Sequence, residues 1–271
     1  CMMRQTDYSE FFMKIQRGKQ KRTGKFAFYG PDGIGKSFFA SAMKWNADKI
    51  ISTDQSSKTL LLDIEGGSFA LDVAKIELVD AGLPEIGKTT KALISDDSVK
   101  KEFNTIVIDS FDWLITKIEN HVCFQAQKNS IADFDYGKGQ VYVFDQVCHY
   151  LATLDEAVEA GFRIIILAHS KKIQVEDPIT PTHSRYDLAI HWKSANRLKE
   201  WVDLLGFMYV KSEFREEELG FNKTRTISKG KDKRVISFCE NAKWEAKSRY
   251  PIQQEIDLDY ETFATALAKV S

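Results

Sequence analysis

The sequence predicts an α/β fold: a mostly parallel central sheet flanked by helices, with antiparallel strands added toward the C-terminus. Three observations carry this. Apolar strand-like runs alternate with helical stretches through most of the chain. A glycine-rich turn joins the first of those strands to a helix. Polar residues recur at the carboxyl ends of the apolar runs, where sheets of this kind bind their ligands. With 271 residues, 43% of them hydrophobic, the chain can bury one full core. The expected division is an N-terminal helix and basic linker over residues 1–24 and a single α/β domain over 25–271.

Residues 8–16 read as a short amphipathic helix with Phe11, Phe12 and Ile15 on one face. Arg17, Lys19, Lys21, Arg22 and Lys25 follow with no acid among them, which suits either a solvated linker or contact with nucleic acid. Lys25-Phe26-Ala27-Phe28-Tyr29 is then a short buried strand, and residues 37–44 have helix-forming composition. Between them, Gly30-Pro31-Asp32-Gly33-Ile34-Gly35-Lys36-Ser37 fits the phosphate-loop pattern G-x-x-x-x-G-K-[ST] at every fixed position. Glycines let successive backbone N–H groups point into one anion-sized hollow, and the following helix adds its positive end. Gly30, Pro31, Asp32, Gly33, Ile34, Gly35, Lys36, Ser37 and Phe38 are therefore candidate nucleotide-binding residues. Lys36 is placed at the β- and γ-phosphates and Ser37 on Mg²⁺.

Residues 59–65 form the next strand, ended by Gly66-Gly67, and residues 75–80 a short further one. Residues 104–110 are an apolar strand closing on Asp109-Ser110, with a helix over 111–127 behind it. A second long helix over 142–160 is stopped by Gly161, and 163–169 is another buried strand, ending in His169. Beyond residue 200, segments 204–210, 225–228, 234–238 and 243–246 read as antiparallel hairpins, and 261–270 as a closing helix.

Hydrolysis of a nucleoside triphosphate needs a held metal and a group that orients or activates water. Asp109, an acid at the end of an apolar strand downstream of the phosphate loop, suits the metal role (Walker B); capping of the next helix is the alternative. Glu65 suits the water role, against a solvated acid at a turn. Asp63 is its nearest rival and is expected to face the other way. His169 sits where a side chain contacts the γ-phosphate and reports its loss, or is a hydrogen-bonded structural residue.

The formal charge of −1 leaves any attraction to a polyanion to local patches. Cys1, Cys123, Cys148 and Cys239 show no C-x-x-C spacing, which implies reduced thiols and no structural metal. No apolar run approaches the ~18 residues of a membrane span, so no membrane partner and a cytoplasmic location are expected.

These motifs, in order from about Lys25 to Phe263, resemble the RecA-like ATPases, and among them the phage-encoded recombinases of the single-strand annealing type. Leu61-Leu62-Asp63-Ile64-Glu65 with Ala70-Leu71-Asp72 is similar to the RecA segment whose glutamate activates water, and Ile106-Val107-Ile108-Asp109-Ser110 to the Walker B strand. Tyr136-Gly137-Lys138-Gly139 is similar to a segment before the long helix of the phage proteins. Ala246-Lys247-Ser248-Arg249-Tyr250-Pro251 resembles the K-x-R segment of DnaB-type helicases, whose cations act on a neighbour's nucleotide. The resemblance implies ATP and Mg²⁺ as cofactors and Lys36 and Glu65 as catalytic residues, with Lys247 and Arg249 acting in trans. It also implies a filament or ring with nucleotide at the subunit interface, single-stranded DNA and a single-strand binding protein as partners, and the bacterial host's cytoplasm as location. A His in place of RecA's sensor Gln, and the lack of RecA's extra domains, depart from the pattern.

Residues 171–199 hold Lys171, Lys172, Arg185, Lys193, Arg197 and Lys199 with Tyr186 and Trp192, which suits single-stranded DNA and equally a solvated loop. Three rival functions remain. A helicase-like or loader ATPase would unwind with directionality, a P-loop small-molecule kinase would phosphorylate an acceptor other than water, and a nucleotide-switched scaffold would bind ATP and hardly hydrolyse it.

Overall fold

The computed structural model describes residues 24–41, 44–46, 49–51, 58–176, 181–212, 214–218, 224–228 and 232–269. The helix expected over 8–16 and the basic residues Arg17 to Arg22 lie outside them. Strand β1 (Lys25–Gly30) leads into α1 (Lys36–Ala40), and a small hairpin follows, β2 (Lys44–Asn46) with β3 (Lys49–Ile51). Next come β4 (Thr59–Asp63), β5 (Lys75–Glu77), α2 (Leu83–Ser95), α3 (Asp97–Glu102), β6 (Thr105–Asp109), α4 (Phe111–Ala126) and α5 (Lys138–Glu159). The chain continues through β7 (Arg163–Val175), β8 (His183–Leu188), α6 (Trp192–Trp201), β9 (Leu204–Lys211), β10 (Phe214–Glu218) and β11 (Thr224–Ser228). It closes with β12 (Lys233–Ser237), β13 (Lys247–Ser248), β14 (Glu255–Asp257) and α7 (Tyr260–Ala268).

The main sheet runs β14-β12-β9-β1-β7-β6-β4-β5. From β9 to β5 every neighbouring pair is parallel; β12, β13 and β14 add antiparallel strands on the β9 side. Alternation along the strands sorts the core into two layers. Ala27, Tyr29, Leu62, Ile108 and Ile166 face α2, α4, α5 and α6. Phe26, Phe28, Leu61, Val107 and Ile165 face α1 and α7. Phe263 docks α7: it is 1% exposed, and its ring meets Phe26, Phe28, Phe39 and Phe238 at centroid distances of 5.6, 5.4, 5.7 and 6.0 Å. Burying such a ring contributes roughly 2–3 kcal/mol before pairwise geometry is counted.

Four local expectations are corrected. The helix expected over 37–44 stops at Ala40, where the Ser41 hydroxyl turns back to donate to the Ser37 carbonyl at 2.7 Å, and Lys44 already lies on β2. Segment 204–210 is strand β9, antiparallel to β12 and β13 as expected but parallel to β1 on its other edge, because the connection through α6 returns the chain to the start of the sheet. Segment 243–246 is a turn: Asn241 Oδ1 accepts from the N–H groups of Lys243 and Trp244. Segment 171–199 is no solvated loop in its described residues. β7 continues past His169 to pair antiparallel with β8, and α6 follows. Its cations are largely engaged within the fold: Arg185 with Glu245 and Glu240, Lys199 with Asp187 and Glu245, and Lys171 with the Ile190 carbonyl. Helices α2 and α3 fill a stretch for which the sequence reading proposed nothing.

Candidate nucleotide site

Residues 30–37 form the turn from β1 into α1 at the carboxyl end of the parallel strands. Two glycines are required there. A Cβ on Gly30 would stand 2.5 Å from the Met208 carbonyl oxygen of β9, and Gly35, the residue capping α1, has φ of +108°. Ile34 is buried in the α1/α7 layer and pins the middle of the loop. Lys36, 7% exposed, lays its ammonium against the loop's own carbonyls, donating to Gly30 at 3.3 Å and Pro31 at 3.1 Å. Burial pulls its pKa down, while the acids Asp32, Glu65, Asp109 and Asp112 act to hold the charge.

Register brings the other candidates to the same edge. Gly30 is directly opposite His169 on β7, and Asp63 directly opposite Asp109 on β6. Asp109 is 1% exposed, and burial pushes its carboxyl up to about 6 against the hydrogen bond from Ser37. Its Oδ2 is buried with no hydrogen-bond partner. An acceptor-only oxygen left bare beside the Ser37 hydroxyl is an energetically costly arrangement that a hard cation would relieve. The pair therefore fits the Mg²⁺ that this class of loop uses.

Glu65 lies two residues past the end of β4, its N–H donating to the Asp109 carbonyl at 3.1 Å. Its Oε1 lies 3.7 Å from His169 Nε2, and the exposed Asp32 carboxylate reaches the same nitrogen at 3.3 Å. Asp63 is excluded from such a role by its hydrogen bonds, and the expectation that it faces away from Glu65 does not follow from alternation. Residues two apart on a strand share a face. What separates the two is occupancy: Asp63 is buried and accepts from the Gly66 and Ser68 N–H groups and the Ser68 hydroxyl, holding the turn after β4 together.

Sequence reasoning missed Asp112. In the first turn of α4, it accepts from the His169 backbone N–H at 3.0 Å and pairs with His169 Nδ1 at 2.8 Å. Because a carboxylate only accepts, Nδ1 carries the proton and Nε2 is left facing the loop. The Asp112 hydrogen bond raises the His169 pKa against burial. Burial works to raise Asp112, and its bonds with His169 outweigh that and hold it below the usual carboxylate range. The available signal is an acid three residues past Asp109, a position that any helix's first turn favours for an acid.

Lys247 and Arg249 are not in this site. β13 pairs with Leu204 and Leu205 at the start of β9, so the segment sits at the amino end of the parallel strands, on the order of 15 Å of strand length from the loop. There Arg249 binds Asp203 at 2.8 Å, and Lys247 donates to the carbonyls of Lys199 and Glu200 near the end of α6.

Residues 22–250 match the family described as an AAA domain. The chain belongs to that family. The phosphate loop, Asp109, Glu65 and His169 all fall inside the matched span. No curated protein sequence matches it. Among solved structures, it is similar to a KaiC-like protein of the archaeon Pyrococcus horikoshii OT3, at 9% identity, TM-score 0.39 and 86% coverage of both chains. It is also similar to the flagellar accessory protein FlaH of Methanocaldococcus jannaschii, at 11% identity, TM-score 0.34, covering 83% of this chain and 87% of that one. Among the described residues, no helix is long and apolar enough to cross a membrane.

Proposed function

We propose that this AAA-domain protein hydrolyses Mg-ATP between subunits of a filament or ring, and that it does so on single-stranded DNA in recombination of the phage type. The observation that supports a hydrolytic site is the convergence on one phosphate loop of a bare, buried Asp109 oxygen beside Ser37, of Glu65, and of a His169 held by Asp112. Ser37 and Asp109 would hold Mg²⁺, which neutralises phosphate charge and orients the leaving group. Lys36 leaves the Gly30 and Pro31 carbonyls for the β- and γ-phosphates, exchanging neutral acceptors for anionic ones. Glu65, partly exposed at the strand end, accepts the proton of the attacking water. His169, oriented by Asp112 and protonated on both ring nitrogens, presents Nε2–H to the γ-phosphate and exchanges its contacts with Asp32 and Glu65 for that new one.

The placement of Lys247 and Arg249 supports assembly. They lie at the end of the sheet opposite the loop of their own chain, so any contact with nucleotide is to a neighbour's. Head-to-tail repetition is the arrangement that brings these opposite ends together. The test is complementation. Lys36→Ala and Arg249→Ala are each inactive alone, and mixing them restores hydrolysis, since some interfaces then join an intact loop to an intact Arg249. A mixture no more active than its components contradicts the shared site.

A further inference from the structure

We propose that Arg234, on β12 of the same chain, contacts the phosphates of the bound nucleotide; the inference rests on the reading of residues 30–37 as the nucleotide loop. β12 is separated from β1 only by β9, and its backbone is anchored on both edges. Arg234 is paired with Val210 of β9, and its carbonyl accepts from Leu258 N–H at 3.0 Å. This places its side chain over the phosphate loop: Nη1 stands 3.4 Å from where a Cβ on Gly35 would be, and Leu258 Cδ2 lies 3.6 Å from that same point. The side chain is exposed, and among the described residues no hydrogen bond or ion pair holds its guanidinium. Its neighbours on the same edge differ: Lys211 is paired with Glu255 and Lys233 with Asp257.

The charge around the loop calls for such a group. Asp32, Glu65, Asp109 and Asp112 all act on Lys36. A triphosphate entering this acid-rich edge meets the Lys36 ammonium and His169, itself committed to Asp112. A guanidinium adds donors in a planar fork matched to phosphate oxygens, and it keeps its charge in any setting. Because it comes from β12 and not from the loop, it would approach the phosphate chain from the side of the C-terminal strands and close the site there.

The test is binding of Mg-ATP and of Mg-tripolyphosphate, by calorimetry, to the wild-type protein, Arg234→Ala, Arg234→Lys and Lys36→Ala. Arg234→Ala is expected to weaken both ligands roughly tenfold to hundredfold, the range for losing a charge-assisted hydrogen bond. Arg234→Lys should recover part of the loss, and the melting temperature without ligand should stay within about two degrees of wild type, since the side chain holds nothing else together. Unchanged ATP affinity in Arg234→Ala, with binding lost in Lys36→Ala, overturns the Arg234 contact and leaves the loop reading standing. Weakened ATP with unchanged tripolyphosphate moves Arg234 to the nucleoside and overturns the phosphate assignment. A wild-type protein that binds neither ligand overturns the loop reading and this inference with it.

Discussion

Replacing Asp109 by Asn should stabilise the nucleotide-free protein while abolishing Mg-dependent hydrolysis. The carboxyl is buried, one oxygen lacks a partner, and its pKa is raised from 3.8 to about 6. A group that binds its proton more tightly when folded costs stability once it must ionise. The penalty is absent below the ordinary carboxyl value, grows as the pH rises from 3.8 toward 6, and is complete above that. A shift of about two units corresponds to about 3 kcal/mol. An amide of the same shape removes the charge and leaves an N–H₂ to satisfy, so the expected net gain is about 1–3 kcal/mol at pH 8. Urea unfolding in EDTA without nucleotide, at pH 8 and pH 5, measures it. The advantage of Asn should be smaller at pH 5 by about 1.4 kcal/mol, roughly half of the full penalty, because the unfolded carboxyl is already ionised there, and the penalty vanishes only below 3.8. A variant less stable than wild type at pH 8, by the same margin as at pH 5, would show that the carboxylate is well solvated or paired and that no cation is called for on stability grounds.

Two further outcomes are expected. His169→Ala should cost about 1–2 kcal/mol near pH 6 and less at pH 9, followed by chemical denaturation. The raised His169 pKa means its contribution is full below 6.5 and is lost as pH rises through the folded value, and the lowered Asp112 pKa means the pair's acid-side loss comes only below 3.8. Phe263→Ala should cost about 3–5 kcal/mol by opening a cavity among four aromatic rings, and a loss under about 1 kcal/mol would show that α7 is not docked on the core.

Much of the fold was legible because its signals are local. The apolar runs of β1, β4, β6 and β7 are buried on both faces, so each stood out as a short continuous block, and Gly161 marked the end of α5 by its own backbone need, φ of +103°. Glu65, Asp109 and His169 could be placed together because each lies at or just past the carboxyl end of such a block. What escaped is set by contacts between distant residues. That 204–210 is antiparallel to β12 yet parallel to β1 depends on which strands flank it, which no pattern within it encodes. The cations of 171–199 looked available because Glu240 and Glu245, which engage Arg185 and Lys199, are far along the chain. Asp112 resembled any first-turn acid until His169 was seen beside it, and Arg234 belonged to an unremarkable charged strand until β9 carried it next to Gly35.

The most direct test of the account is Mg-dependent ATP hydrolysis by the purified protein with and without single-stranded DNA, alongside Lys36→Ala. Turnover should rise with DNA and disappear in Lys36→Ala; turnover indifferent to DNA, or surviving in Lys36→Ala, would contradict a phosphate-loop ATPase acting on DNA.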